Sequence, residues 1–289
     1  MMKKGLVLEG GALRGLFTAG VIDVLMEHYI AFDGIVGVSA GAAFGCNYKS
    51  KQPGRVIRYN TRFAHEWRYC SLRSLITTGD LFGGEFCYHL MPEQLDPFDW
   101  DTFEKNPTEF YAVATDLNTG EAVYKKIEQR SRESREWFRA SASMPLVSRV
   151  VKIQGREMLD GGIADSIPLQ FFQSKGYERN VVVLTQPEDY IKKPNKLMPL
   201  MRIGLHKYPK FLQAMERRHI MYQAQLDWVR QEEKKGNILV IRPQQKLPIE
   251  HVSHDEKQMQ YVYQQGRAIA ENKISEIKAF LGLCANTNA

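Results

Sequence analysis

Apolar and polar positions near the start of the chain alternate between short runs and longer periodic stretches. Residues 5–8 (Gly-Leu-Val-Leu) are a continuous apolar run closed by glycines, the pattern of a buried strand feeding a turn. From Gly15 to Tyr29 the apolar Phe17, Val21, Val24 and Leu25 recur at helical spacing and predict a helix with one buried face. Residues 33–38 predict a second short strand, and the small residues from Ala40 to Tyr48 a tightly packed helix. Strand, helix, strand, helix in that order predicts a parallel sheet with crossover helices.

The stretch 50–110 is less periodic, and its Pro, Gly and aromatic residues predict helices and loops over one end of the sheet. Residues 109–115 and 122–127 flank the turn signal Asn118-Thr119-Gly120 and predict neighbouring strands. Residues 134–143 predict a helix that stops at Pro145. Residues 150–154 and 156–159 predict a hairpin ending at Asp160-Gly161-Gly162. Two core strands follow at 180–185 and 237–241, then a long helix at roughly 255–281 with Met259, Val262, Tyr263, Gly266 and Ile269 along one side. With neither internal repeat nor low-complexity linker, one elaborated α/β domain is the simplest count.

Composition changes this picture little. A 44% hydrophobic and 25% charged chain of 289 residues is ordinary for a globular protein, which excludes disorder and coiled coil as readings of the whole. The net charge of +6 suits an anionic partner and equally a soluble surface. Cys46, Cys70, Cys87 and Cys284 form no C-x-x-C pair, so neither a zinc site nor a disulfide framework is expected, and a reducing compartment fits. Glu9 and Arg14 interrupt any signal-like apolar stretch, and the uncharged run from Gly34 to Tyr48 is too short to span a bilayer; a cytoplasmic protein is expected.

Three local patterns carry chemistry. Gly37-Val38-Ser39-Ala40-Gly41 places a serine at a sharp strand-to-helix bend, where the helix N-terminus favours the negative charge of a tetrahedral intermediate; a serine that merely caps the helix reads the same five residues. Glu9-Gly10-Gly11-Ala12-Leu13-Arg14-Gly15 also lies between strand and helix. Its glycine peptides offer N–H groups to an oxyanion, and a dinucleotide-binding turn is the rival. Asp160-Gly161-Gly162 alone is a turn, but a buried aspartate held against a serine makes a better base than an exposed one.

Together these patterns resemble the patatin-like phospholipase family, with its glycine-rich loop followed by a basic residue, its G-x-S-x-G one helix and one strand later, and a distant D-G-[GA]. Ala142-Ser143-Met144-Pro145 and Asp165-Ser166-Ile167-Pro168 add to the resemblance, which runs from about residue 5 to 185; Thr78-Gly79-Asp80-Leu81-Phe82 looks like a bacterial branch. The resemblance implies a three-layer α/β sandwich with a mostly parallel central sheet and helices on both faces. It implies a catalytic core over 5–185, with 186–289 as a C-terminal extension of helices and one strand packed on the same domain. It further implies a lipid acyl hydrolase without metal or cofactor, using a Ser39–Asp160 dyad. Gly10, Gly11 and Ala12 would form the oxyanion hole, and Arg14, Gly15, Gly37, Gly41, Gly161 and Gly162 would complete the motifs. The family usually has glycine where this chain has Ala12, which matters if that residue needs a positive φ.

Two rivals of different kind remain. An α/β-hydrolase triad would draw on His206, His219, His251 or His254, but only two strands precede Ser39, fewer than that fold normally places before its nucleophile. A non-catalytic lipid-binding protein would not need both Ser39 and Asp160. The segment 190–220 carries eight Lys/Arg against one acid, with Leu197, Met198, Leu200, Met201, Ile203 and Leu205 interleaved. It is expected either to rest on an anionic membrane or to form a solvated basic face. A lipid or other acyl ester is the expected partner, nucleic acid is not, and Phe63, Trp67 and Tyr69 are candidates for an acyl channel.

Overall fold

A computed structural model describes residues 2–283, so Cys284 lies outside the described residues. In chain order the elements are β1 (Lys3–Leu8), α1 (Gly15–Glu27), β2 (Gly34–Val38), α2 (Ala40–Lys49), α3 (Arg55–Arg62) and α4 (Leu72–Thr78). A π-helical segment (Phe86–Leu95) precedes α5 (Trp100–Lys105), β3 (Glu109–Asp116), β4 (Ala122–Lys126), α6 (Arg132–Ser141), β5 (Val151–Ile153) and β6 (Arg156–Asp160). The rest is α7 (Leu169–Ser174), β7 (Tyr177–Val183), α8 (Met198–Gly204), α9 (Pro209–Lys234), β8 (Ile238–Ile241) and α10 (Glu256–Phe280).

The strands make one mixed sheet in the order β5-β6-β3-β2-β1-β7-β8, with β4 also on β3. Its centre, β3-β2-β1-β7-β8, is parallel, and β4, β5 and β6 are antiparallel. The apolar runs of β1 and β7 need burial on both sides, as strands inside an α/β sheet do. Leu6, Leu8, Val181 and Val183 enter a core shared with α1, α2, α6 and α10. Val7, Val36, Val182 and Val240 enter a second core with α7 and α9. The expected layering of helices on both faces is therefore what the chain adopts.

The C-terminal segment is tied into the same layers. β8 pairs with β7, and α10, capped by the Asp255 carboxylate on the Lys257 and Gln258 N–H groups, crosses α1. That crossing is close because Gly20 and Gly266 meet it from either side: a Cβ on Gly20 would stand 2.1 Å from the Tyr263 carbonyl oxygen. The strand expected at 180–185 begins earlier, at Tyr177, and stops at Val183, because the Thr185 N–H turns away to the Glu9 carboxylate. Among the described residues no helix is long and apolar enough to cross a membrane.

One feature of the sheet positions the site. β3 pairs with β4 through Tyr111–Thr115, with β2 through Glu109–Val113 and with β6 through Ala114–Asp116. Since β4 overlaps both other partners, β2 and β6 must share the opposite edge of β3, end to end. They run toward each other: β2 finishes opposite Val113 and β6 finishes opposite Ala114. The residue just past β2 is Ser39 and the last residue of β6 is Asp160, so the topology brings them face to face across 121 positions of sequence.

Candidate active site

Ser39 leaves β2 with φ 55° and ψ −123°, a backbone region that side chains rarely adopt. The bend is held from outside. The Ser39 N–H donates to the buried Ser141 Oγ at 2.9 Å, and the Ser39 carbonyl accepts the first N–H groups of α2 from Ala42 and Ala43. Gly41 lets α2 start directly against β1, since a Cβ there would lie 2.3 Å from the Leu8 carbonyl oxygen.

Asp160 is 6% exposed. Its N–H donates to the Ser143 carbonyl, its carbonyl accepts from Thr115 Oγ1, and its Oδ1 accepts the Gly162 N–H at 2.8 Å. The stretch after α6 thus serves both partners, Ser141 holding the Ser39 backbone and Ser143 the Asp160 backbone. Burial pushes the Asp160 carboxyl above the usual aspartate range. The neighbouring Ser39 side chain opposes that first, followed by the Arg218 charge, the Gly162 N–H and Lys192. The Gly162 carbonyl is gripped twice at 2.6 Å, by Ser166 Oγ and by Arg218 Nε. Gln225 in turn accepts the Ser166 and Ile167 N–H groups, fixing the Asp165–Pro168 stretch.

The glycine loop is fastened through Glu9. This buried carboxylate accepts the Thr185 N–H at 2.6 Å and the Tyr222 hydroxyl at 2.5 Å, and Thr185 Oγ1 donates to the Gly10 carbonyl. Gly10 faces Ser39 so closely that a Cβ would stand 2.8 Å from the Ser39 Cβ. Among the described residues, the N–H groups of Gly10, Gly11, Ala12 and Ala40 have no protein acceptor. They border the space in front of Ser39.

Ala12 does adopt a positive φ, 49°. A side chain in that region costs roughly 1–2 kcal/mol, which glycine avoids at the expense of a more flexible unfolded chain. Ala12→Gly is therefore expected to stabilise the fold by up to about 1 kcal/mol, read as a higher denaturant midpoint in urea. A lower midpoint would mean that the methyl group's packing outweighs the strain.

Two chambers meet at Ser39. One, of about 130 Å³, is mainly apolar and is lined among others by Leu13, Phe44, Tyr59, Tyr69, Met91 and Phe138. It takes its walls from α2, α3, α6 and the π-helical segment, which is where the weakly periodic stretch 50–110 is used. Of the three proposed channel aromatics only Tyr69 lines it. Phe63 packs behind, edge-on to Phe86, and Trp67 lies against the Arg73 guanidinium.

The other chamber, of about 110 Å³, is polar and includes Glu9, Asp160, Arg14, Lys192, Arg218 and His251. Two of these correct the sequence reading. Lys192 and Arg218 belong to the basic segment expected on an outer face, but they turn into the chamber. His251 also lines it, yet it is not set up as a base: its Nε2 meets Arg14 at 3.2 Å, and burial, then the Arg14 charge, push it down to about 4. The other three histidines do not line either chamber.

Residues 6–172 match the family model described as Patatin-like phospholipase, and residues 208–282 match one described as a domain of unknown function, DUF6363. The uncharacterized protein YjjU of Escherichia coli (strain K12) is 30% identical over 198 residues, covering 65% of this chain and 54% of that protein. Lysophospholipase NTE1 of Scheffersomyces stipitis is 28% identical over 185 residues, covering 62% of this chain and 11% of that protein. The match thus spans about half the length of the first relative and about a tenth of the second. The solved structure of VipD from Legionella pneumophila aligns with 96% of this chain and 67% of its own, at 13% identity and a TM-score of 0.49. Because the first model covers more than half of the chain, the protein belongs to the patatin-like phospholipase family.

Proposed function

We propose that this protein is a serine acyl hydrolase that cleaves carboxylic esters of lipids, with Ser39 as nucleophile and Asp160 as general base. One observation carries the reading: Ser39 stands between an apolar chamber and a polar one, the division that an amphiphilic ester presents on either side of its carbonyl. Family membership and relatives named lysophospholipases support the same substrate class.

In this mechanism the Ser39 hydroxyl attacks the ester carbonyl while Asp160 takes its proton. The tetrahedral oxyanion is received by the N–H groups of Gly10, Gly11 and Ala12, with Ala40 as a further donor at the start of α2. Collapse returns the proton to the departing alcohol and leaves the acyl group on Ser39. Water, deprotonated by the same carboxylate, then releases the fatty acid. No histidine is required.

The exposed Ile191, Leu197, Leu200 and Ile203, interspersed with Lys193 and Lys196, are the part of the basic segment that fits contact with an anionic lipid surface. The direct test is covalent. Mass spectrometry after treatment with a fluorophosphonate is expected to find the label on Ser39. A folded protein that stays unlabelled there while the probe marks a control hydrolase would sink the proposal.

A further inference from the structure

The polar chamber holds more positive charge than its carboxylates use. Arg14, Lys192 and Arg218 all line it, and among the described residues none of the three has a carboxylate within ion-pair distance. The two carboxylates present, Glu9 and Asp160, are hydrogen-bonded by neutral donors and offer at most two counter-charges to three cations. Arg14 reaches only the His251 ring, and its Nε is buried without a partner. Arg218 spends its Nε on the Gly162 carbonyl. The Lys192 ammonium lies 4.7 Å over the ring of Tyr222. One cation is therefore in excess in a half-enclosed space, which is costly, and an anion placed among the three removes that cost.

We propose that Arg14, Lys192 and Arg218 form a binding site for the phosphate of a lipid head group, so that the enzyme selects phosphate-bearing acyl esters over neutral ones. Two guanidinium groups and an ammonium suit a tetrahedral oxyanion approached from several sides. The head-group source follows from position. Ser39 lines both chambers, so a glycerolipid with its acyl chain in the apolar one and its ester at Ser39 has its phosphate, a few bonds from that ester, within reach of the cationic one. Burial and the nearby Arg218 push Lys192 down to about 8, which leaves it mostly charged at neutral pH.

This assigns work to the part of the chain outside the family's own model. Residue 192 follows the end of that match. Arg218, Tyr222 and His251 fall within the segment matching the domain of unknown function, which on this reading supplies head-group recognition to a catalytic core.

The proposal rests on the acyl hydrolase reading for its biological meaning, but binding tests it without turnover. Full-length Ser39→Ala protein is titrated calorimetrically with octanoyl lysophosphatidylglycerol, monooctanoylglycerol and inorganic phosphate, all kept monomeric, and the same is done with Ser39→Ala/Lys192→Met. The preference for the phosphate-bearing lipid over the neutral one is expected to fall at least about tenfold with Lys192→Met and to return with Lys192→Arg. An unchanged preference overturns the site. So does inorganic phosphate binding as tightly as the lysolipid, which assigns the pocket to the free ion. Failure of the hydrolase reading shows separately, as wild-type protein that binds the lysolipid and releases no octanoate.

Discussion

Ser39→Ala is expected to lower lipid-ester turnover by roughly ten-thousand-fold or more, and Ser39→Gly to do the same in a more stable protein. The two variants remove the same hydroxyl but differ in what they do to the backbone. At φ 55° and ψ −123° any side chain is strained by about 1–3 kcal/mol, and alanine keeps that strain where glycine releases it. After glycine's larger unfolded-state entropy is subtracted, Ser39→Gly should exceed Ser39→Ala in stability by about 1 kcal/mol. Urea denaturation of both variants beside a titrimetric fatty-acid assay reads the pair together. Loss of activity with a stability gain identifies a residue held in a costly conformation for chemistry. Equal stabilities would show that the bend is relaxed, and retained activity in either variant would remove Ser39 from the mechanism.

Much of this arrangement is legible in the chain, and physical reasons separate what is from what is not. The strands at β1, β2 and β7 announce themselves because both of their faces are buried, so their apolar runs are unbroken. The bend at Ser39 is legible because Gly37 and Gly41 stand where backbones touch. The meeting of Ser39 with Asp160 is not local at all. It depends on β6 completing the edge of β3 that β2 leaves open, a pairing that no periodicity encodes; only the family pattern links the two motifs in sequence.

The inward cations are hidden for a different reason. Arg217 and Arg218 are adjacent and chemically identical, yet Arg217 is exposed and Arg218 reaches the Gly162 carbonyl. A basic stretch read without its helix phase looks like one surface. His251 is likewise a single residue in an irregular segment until the fold places it against Arg14. The clue available in sequence was the excess of unpaired charge in 190–220, where eight cations face one acid.

The second large effect belongs to Asp160. Asp160→Asn is nearly isosteric, and its side-chain oxygen can still accept the Gly162 N–H, so the turn should survive while the base is lost. Turnover is expected to fall by roughly a thousandfold or more. The pH dependence sharpens this. As a carboxylate base Asp160 is active when deprotonated, so wild-type kcat/KM should fall as pH drops through its folded pKa. Burial raises that pKa, which places the acid limb above the ordinary aspartate value of about 3.9. Stability runs the opposite way. Between the unfolded and the raised folded pKa the native state binds more protons, so wild-type stability declines as pH rises through that window. Asparagine carries no such penalty, and Asp160→Asn should be more stable than wild type at neutral pH, with the advantage shrinking as pH falls. Near-wild-type turnover in Asp160→Asn, or an acid limb that persists in its residual activity, would move the base elsewhere. An inactive variant that is also less stable at neutral pH would instead give Asp160 a structural role. Only the combination of lost turnover with gained neutral-pH stability marks a carboxylate that the fold keeps buried and ionised for its chemistry.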